Sequence, residues 1–100
     1  MTGIELIAKE RKEQLEKHGI SVKNDAQFNS MMEYNGLPAL PLAAIRLLDD
    51  TIQRVPSHWD KKRMEKMEKK PYKERLIIAG AFIAAEIDRI QFIDDQKTEK

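Results

Sequence analysis

The chain has 100 residues, of which 35% are charged, with a net charge of +1 and no cysteine. Its length predicts a single domain with one small core, and the lack of cysteine excludes disulfides, thiolate metal sites and cysteine nucleophiles. The longest apolar run has ten residues, which is too short to cross a membrane and does not fit a signal peptide, so we expect a cytoplasmic protein.

The first predicted helix begins at a capping box formed by Thr2 and Glu5 and runs to about Lys17, before the stop signal His18-Gly19. On a helical wheel its inward face consists of the apolar residues Ile4, Ile7, Ala8 and Leu15. We therefore expect this face to pack against the rest of the bundle.

Arg11 and His18 fall in the middle of that apolar face, with Glu10 and Gln14 along one border. One interpretation is a ligand site for phosphate groups or base edges, since a guanidinium binds phosphate in a fork geometry. The other is structural: either Arg11 pairs with Glu86 or Asp88 across the bundle, or this end of the helix is exposed.

The middle of the chain predicts a loop and a second helix. Residues 20–36 are rich in Asn, Asp, Ser and Gly without a clear period, which indicates a long loop, with or without a helical turn at 27–33. Tyr34 in this loop is a candidate for stacking on a base. Pro38 and Pro41 fit the first turn of the next helix. Apolar residues then repeat on one face as far as Pro56, namely Leu40, Ala44, Leu47, Leu48, Ile52 and Val55.

A short basic helix is predicted over about residues 58–69, capped by Ser57. Residues 57–75 contain eight basic and four acidic residues. The few apolar residues, Trp59, Met64 and Met67, predict that this helix lies on the surface. Interspersed glutamates would repel a nucleic-acid backbone, so nucleic acid is not an expected partner. A few of the lysines could still surround a small anionic ligand.

Pro71 predicts the start of the last helix, which we expect to reach about Ile93, ahead of a frayed polar tail at 96–100. Its apolar run is followed by Glu86, Asp88 and Arg89, and on the wheel no side of this helix is purely polar. Such a helix belongs in the middle of a bundle. Its carboxylates must then be paired, hydrogen-bonded, bound to a cation or exposed at its end.

These elements predict an all-α fold, a small bundle of three long helices and one short basic helix, with residues 1–95 as a single domain. We expect a homo-oligomer, because a chain of this length buries a limited share of its surface. Gly80 is predicted to lie at the closest helix contact.

The sequence does not predict a metal site. His18 and His58 are too far apart for a zinc motif. Magnesium would need carboxylates such as Glu10 with Glu13, or Glu86 with Asp88. However, the latter two lie about 160° apart on the wheel, and Glu13 is expected to face solvent.

Motifs along nearly the whole chain resemble a group of short phage and prophage proteins. They are E-R-x-x-Q at 10–14, His18-Gly19, Asn24-Asp25, Tyr34-x-Gly36, Trp59 and A-G-A-x-I-A-A-E-I-D-R at 79–89. Some members of the group are labelled MazG-like or dATP/dGTP pyrophosphohydrolases. The resemblance implies an all-α oligomer that holds Mg²⁺ with E-x-x-E and E-x-x-D motifs. Glu10-x-x-Glu13 matches the first motif, whereas Glu86-Ile-Asp88 is one residue shorter than the second.

The shorter spacing of Glu86 and Asp88 favours binding of a phosphate-containing nucleotide without turnover, as in phage proteins that sequester nucleotide signals of host defence. Arg11, Gln14 and His18, with Arg89 or a lysine, would then hold phosphates. The candidate ligand-binding residues are Glu10, Arg11, Gln14, His18, Tyr34, Trp59, Glu86, Asp88 and Arg89. One alternative is a pyrophosphohydrolase, the only case that needs Mg²⁺. The other is inhibition of a host protein through exposed Trp59, Met64 and Met67 on the basic helix.

Overall fold

The computed structural model describes residues 1–17, 32–33, 36–52, 55–56 and 59–98. Within these ranges the chain forms four helices: α1 (Gly3–Lys17), α2 (Ala39–Leu48), α3 (Lys61–Glu68) and α4 (Tyr72–Thr98). The predicted all-α class is confirmed. No helix in the described part of the chain is both long and apolar enough to span a bilayer. The loop predicted over residues 20–36 and its helical turn lie almost entirely outside the described residues.

Helix α1 begins as predicted. The Thr2 backbone N–H donates to Glu5 Oε1 (3.0 Å), and the Glu5 backbone N–H donates to Thr2 Oγ1 (3.2 Å). These reciprocal bonds satisfy two donors at the start of the helix, so the capping box is confirmed.

The predicted inward face of α1 is largely wrong. Ile4, Ala8 and Leu15 are exposed, whereas Arg11 and Gln14 are buried. The helix is rotated so that its polar residues face the bundle, because their partners on the other helices are polar as well. An apolar stripe is left on the outside of α1.

Helix α2 is shorter than predicted, since it ends at Leu48 rather than near Pro56. Asp49 has an extended backbone (φ −131°, ψ 106°), and its Oδ1 accepts bonds from the Thr51 backbone N–H (2.9 Å) and hydroxyl (2.6 Å). Such local bonds compete with helix continuation. The apolar spacing of Ile52 and Val55 therefore does not extend the helix.

Helix α3 is capped by Asp60, whose Oδ1 accepts a bond from the Lys62 backbone N–H (2.9 Å). The predicted cap, Ser57, lies outside the described residues. Most residues of this helix are exposed, as predicted for a surface helix, but the expected exposure of the apolar residues is wrong: Met64 is completely buried, and Trp59 and Met67 are partly buried against the core. An ion pair between Arg46 and Glu68 also joins α2 to α3.

Helix α4 is the element on which α1 and α2 both pack, as its apolar sequence predicts. It follows Pro71 directly and continues past the predicted end at Ile93 to Thr98. Arg75 Nη1 donates to the Leu47 backbone carbonyl (2.9 Å), which satisfies an acceptor in the last turn of α2.

Only part of the α4 surface is covered, although its sequence predicts burial all round. Its covered side contributes Ile78, Ala79, Phe82 and Ala85 to the core. Another side presents large apolar side chains that are between 41% and 53% exposed, namely Leu76, Ile83, Ile87 and Ile90.

Gly80 lies against α1, as predicted. A Cβ placed there would be 2.7 Å from Ile7 Cδ1 and 3.0 Å from Ile7 Cγ1. We expect Gly80→Leu to lower the free energy of unfolding by about 1–3 kcal/mol, because overpacking forces neighbours to move. Thermal unfolding measures this loss.

The same substitution at Gly3, where a Cβ would have no neighbour within 4 Å, is the control and should have little effect. Adding Ile7→Ala to Gly80→Leu should recover part of the loss, since it removes the clashing side chain. An unchanged melting temperature in Gly80→Leu would contradict the close packing of α1 on α4.

The capping box makes a prediction about pH. The bond from the Thr2 backbone N–H, and then that from the Thr2 side chain, hold the pKa of Glu5 below its ordinary value of 4.5. The stabilisation is therefore present above the ordinary pKa and lost as the pH falls through the lowered one. An NMR titration should show the Glu5 pKa rising in Thr2→Val, and identical titrations in both proteins would contradict this role of Thr2.

Candidate ligand-binding site

A cavity of about 650 Å³ lies between α1, α3 and α4. Its size is within the range of small-molecule sites. The apolar part of its lining consists of Trp59, Met64, Met67, Ile78 and Phe82. These residues belong to the hydrophobic core or pack against it, so the cavity is an opening onto the core rather than a surface groove.

Trp59 and Phe82 form the aromatic part of this lining. Their ring centroids are 5.2 Å apart and the ring planes are inclined at 63°, an edge-to-face arrangement. Phe82 is fully buried, whereas Trp59 is only partly buried. Trp59 is therefore held in place by a core residue while part of its indole remains accessible from the cavity.

Most acidic and basic residues of the lining come from different helices. Glu10 and Glu13 come from α1, whereas Arg63, Lys66 and Lys70 come from α3 and the residues after it. All three cations line the cavity; Arg63 and Lys66 belong to α3, and Lys70 follows its C-terminal cap. Asp60, which caps α3, also lines the cavity. The cavity thus has an anionic side and a cationic side over an apolar floor.

Gln14 is the most buried polar residue of the lining, with 2% of its surface exposed. Its Oε1 has no hydrogen-bond donor among the described residues. A buried amide oxygen without a donor costs roughly 1–3 kcal/mol. Gln14 belongs to the cavity lining, and its amide oxygen is an acceptor still in need of a donor.

The structure divides the predicted site residues into two groups. Glu10, Gln14 and Trp59 line the cavity. Arg11, Glu86, Asp88 and Arg89 do not line it and form ion pairs instead. His18 and Tyr34 lie outside the described residues.

The two ion pairs differ in geometry and burial. Arg89 and Glu86 form a two-pronged pair within α4 (Nε to Oε1, 2.5 Å; Nη2 to Oε2, 2.9 Å), and both side chains are almost buried. Arg11 Nη2 reaches Asp88 Oδ2 at 3.5 Å, and the Asp88 side chain is 45% exposed. These contacts favour the structural interpretation of the four residues, and Arg11 links α1 to α4.

Sequence reasoning missed several lining residues: Glu13, Asp60, Arg63, Lys66 and Lys70. Glu13 was expected to face solvent, but it lines the cavity. Arg63 and Lys66 are three residues apart, the spacing of one helix face, whereas Lys70 lies beyond the end of α3. Spacing alone therefore did not distinguish these cations from the other basic residues of 57–75.

The carboxylates of the resembled magnesium motifs lie in different surroundings. Among them, no three His, Asp or Glu side chains are close enough to hold a metal ion. Glu10 and Glu13 are both in the cavity lining, but Glu86 and Asp88 are bonded to guanidinium groups. The motif pair implied by the resemblance is therefore not brought together as a ligand set.

We expect the two ion pairs to contribute unequally to stability. Glu86→Ala should lower the free energy of unfolding by about 3 kcal/mol, because it removes the two-pronged partner of a buried arginine. Asp88→Ala should cost less than Glu86→Ala, since its single contact with the buried Arg11 is long and its carboxylate is 45% exposed. Urea denaturation of both variants measures the difference, and equal losses would contradict it.

Comparison of the chain with protein-family models, with curated proteins and with solved structures finds no match. The resemblance to phage proteins therefore remains an expectation based on the motifs quoted above. Any function must be argued from the side chains of the cavity itself.

Proposed function

We propose that the chain binds a phosphate-containing nucleotide in the cavity between α1 and α3, without turnover. The observation that carries this proposal is the combination of three cations with the buried, unsatisfied Gln14 Oε1 in the same lining. A nucleotide has both of the groups that such a site would recognise: anionic phosphates and a ring that carries N–H donors.

In this proposal the phosphates lie along Arg63, Lys66 and Lys70. Arginine and lysine form charge-assisted bonds to phosphate oxygens. The ring lies over the apolar floor beside Trp59, where an aromatic face can stack on a base. Gln14 Oε1 accepts a bond from a ring N–H, which removes the cost of its burial.

The absence of turnover is proposed because the carboxylates needed for the resembled hydrolase motifs are separated. Binding alone suits a protein that sequesters a nucleotide signal, and such signals are found in the cytoplasm, where we place this chain. The alternative of a host-protein inhibitor is weakened by the burial of Met64, since its expected contact surface is part of the core.

Trp59 is the single tryptophan of the chain, so its fluorescence can report directly on the cavity. We expect nucleoside mono-, di- and triphosphates to change this fluorescence with different affinities. The variant Lys66→Gln should weaken binding by about 10-fold or more, because it removes a charged hydrogen bond to phosphate.

Lys62→Gln is the matched control, since it removes the same charge from the same helix at an exposed position outside the cavity lining. Its effect should be less than about threefold, owing to screening of a distant charge. Equal effects of the two variants, or no response to any nucleotide, would contradict binding in this cavity. Pyrophosphate release in the presence of Mg²⁺, abolished by Glu10→Gln, would contradict binding without turnover.

A further inference from the structure

The exposed apolar side of α4 has a regular spacing. Leu76, Gly80, Ile83, Ile87 and Ile90 follow one another at alternating intervals of four and three residues, the spacing of a coiled-coil seam. We define these five residues as the α4 seam. Its large side chains are 41–53% exposed, and no charged residue interrupts it.

Helix α1 extends this face. Ile7 lies over Gly80 and so fills the one position of the α4 seam that lacks a side chain. Ile4, one turn earlier on α1, is 83% exposed. The apolar stripe of α1 and the α4 seam therefore meet at the contact between Ile7 and Gly80.

From this face we infer that the chain forms a two-fold dimer in which the α4 seams of two copies pack together in antiparallel orientation. The exposed parts of Ile4, Leu76, Ile83, Ile87 and Ile90 amount to roughly 500 Å² per subunit, which is most of the ~800 Å² that each partner buries in a stable interface. A polar rim would supply the remainder.

The charges at the two ends of the α4 seam determine the orientation. The same alternating spacing reaches Lys73 at one end and Asp94 at the other, both exposed. In an antiparallel dimer Lys73 lies near the partner subunit's Asp94, so opposite charges meet at both ends. A parallel dimer would place like charges together, which is unfavourable.

The antiparallel arrangement is also self-complementary, as a two-fold interface requires. Lys73 and Asp94 lie at nearly equal distances from Ile83 along α4. In the antiparallel dimer, Ile83 therefore lies opposite the partner subunit's Ile83. Leu76 lies opposite the partner subunit's Ile90. The interface is separate from the ligand cavity, because Ile78 and Phe82 of the cavity point to another side of α4.

Sedimentation velocity of the full chain tests the dimer. We expect a species of twice the 11.6 kDa chain mass. Ile87→Glu should weaken association at least tenfold while keeping the helical circular-dichroism spectrum. Leu48→Glu is the matched control, because Leu48 is similarly exposed (45%) but lies on α2, and it should leave the dimer intact. A wild-type monomer at about 100 µM, or equal loss of the dimer in both variants, would overturn the inference.

Cysteine cross-linking tests the orientation, since the chain has no native cysteine. Under mild oxidation Ile83→Cys should form a covalent dimer. Leu76→Cys alone should not, whereas Leu76→Cys combined with Ile90→Cys should. Efficient cross-linking of Leu76→Cys alone would overturn the antiparallel arrangement. A wild-type monomer that sediments with lipid vesicles would show that the seam faces a membrane instead.

Discussion

The whole structure depends on one constraint: α4 is apolar on nearly every side, and the other described helices cover only part of it. Hydrophobic burial is roughly proportional to the area removed from water, so each further element is stabilised by the part of α4 it covers. Helices α2 and α3 cover the side of Phe82, and α1 covers a second side at Gly80. A third side, which carries Leu76, Ile83, Ile87 and Ile90, stays partly exposed.

This constraint explains why α1 has a polar inner face. Its sites of contact with α4 include a glycine and an aspartate, so it can approach closely at Ile7 and pair Arg11 with Asp88. A buried arginine is tolerated where a carboxylate accepts its hydrogen bonds. The apolar residues of α1 are then displaced outward, beside the uncovered side of α4. The polar inner face and the apolar outer stripe are two consequences of the same rotation.

Local signals in the sequence were sufficient for features that depend on a few neighbouring residues. The Thr2–Glu5 capping box and the close contact at Gly80 were both predicted correctly. Features that depend on distant packing were not: apolar periodicity alone extended α2 past Asp49, and a low count of apolar residues placed Met64 on the surface. The hydrogen bonds of one aspartate and the burial of one methionine decide these points. Neither the hydrogen bonds of Asp49 nor the burial of Met64 can be recognised from a periodic pattern of apolar residues in the sequence.

The same limit applies to the candidate site. Glu10, Gln14 and Trp59 could be selected because polar or aromatic residues at unusual positions require an explanation. The cations Lys66 and Lys70 could not be selected among many similar lysines, because their place in the cavity lining depends on how α3 packs against the other helices. The candidate site combines residues of two helices that are far apart in sequence, so it is determined by tertiary contacts. The residue pattern of one helix predicts only the side chains that this helix contributes.

The opposite charges on the two sides of the cavity have a consequence for ligand selection. Acidic groups of α1 lie across the cavity from the cations of α3, so they offset part of the positive potential that a phosphate chain would encounter. A bare polyphosphate would be attracted by the cations but repelled by Glu13. A ligand with phosphates at one end and N–H donors at the other would be attracted by both sides of the cavity. A nucleotide bound as we propose would therefore be selected by the distribution of charge within it rather than by its total charge. This proposed selectivity requires Gln14 and the acidic groups of α1 to stay opposite the cations, and both α1, through α4, and α3, through α2, are held in place by helix packing.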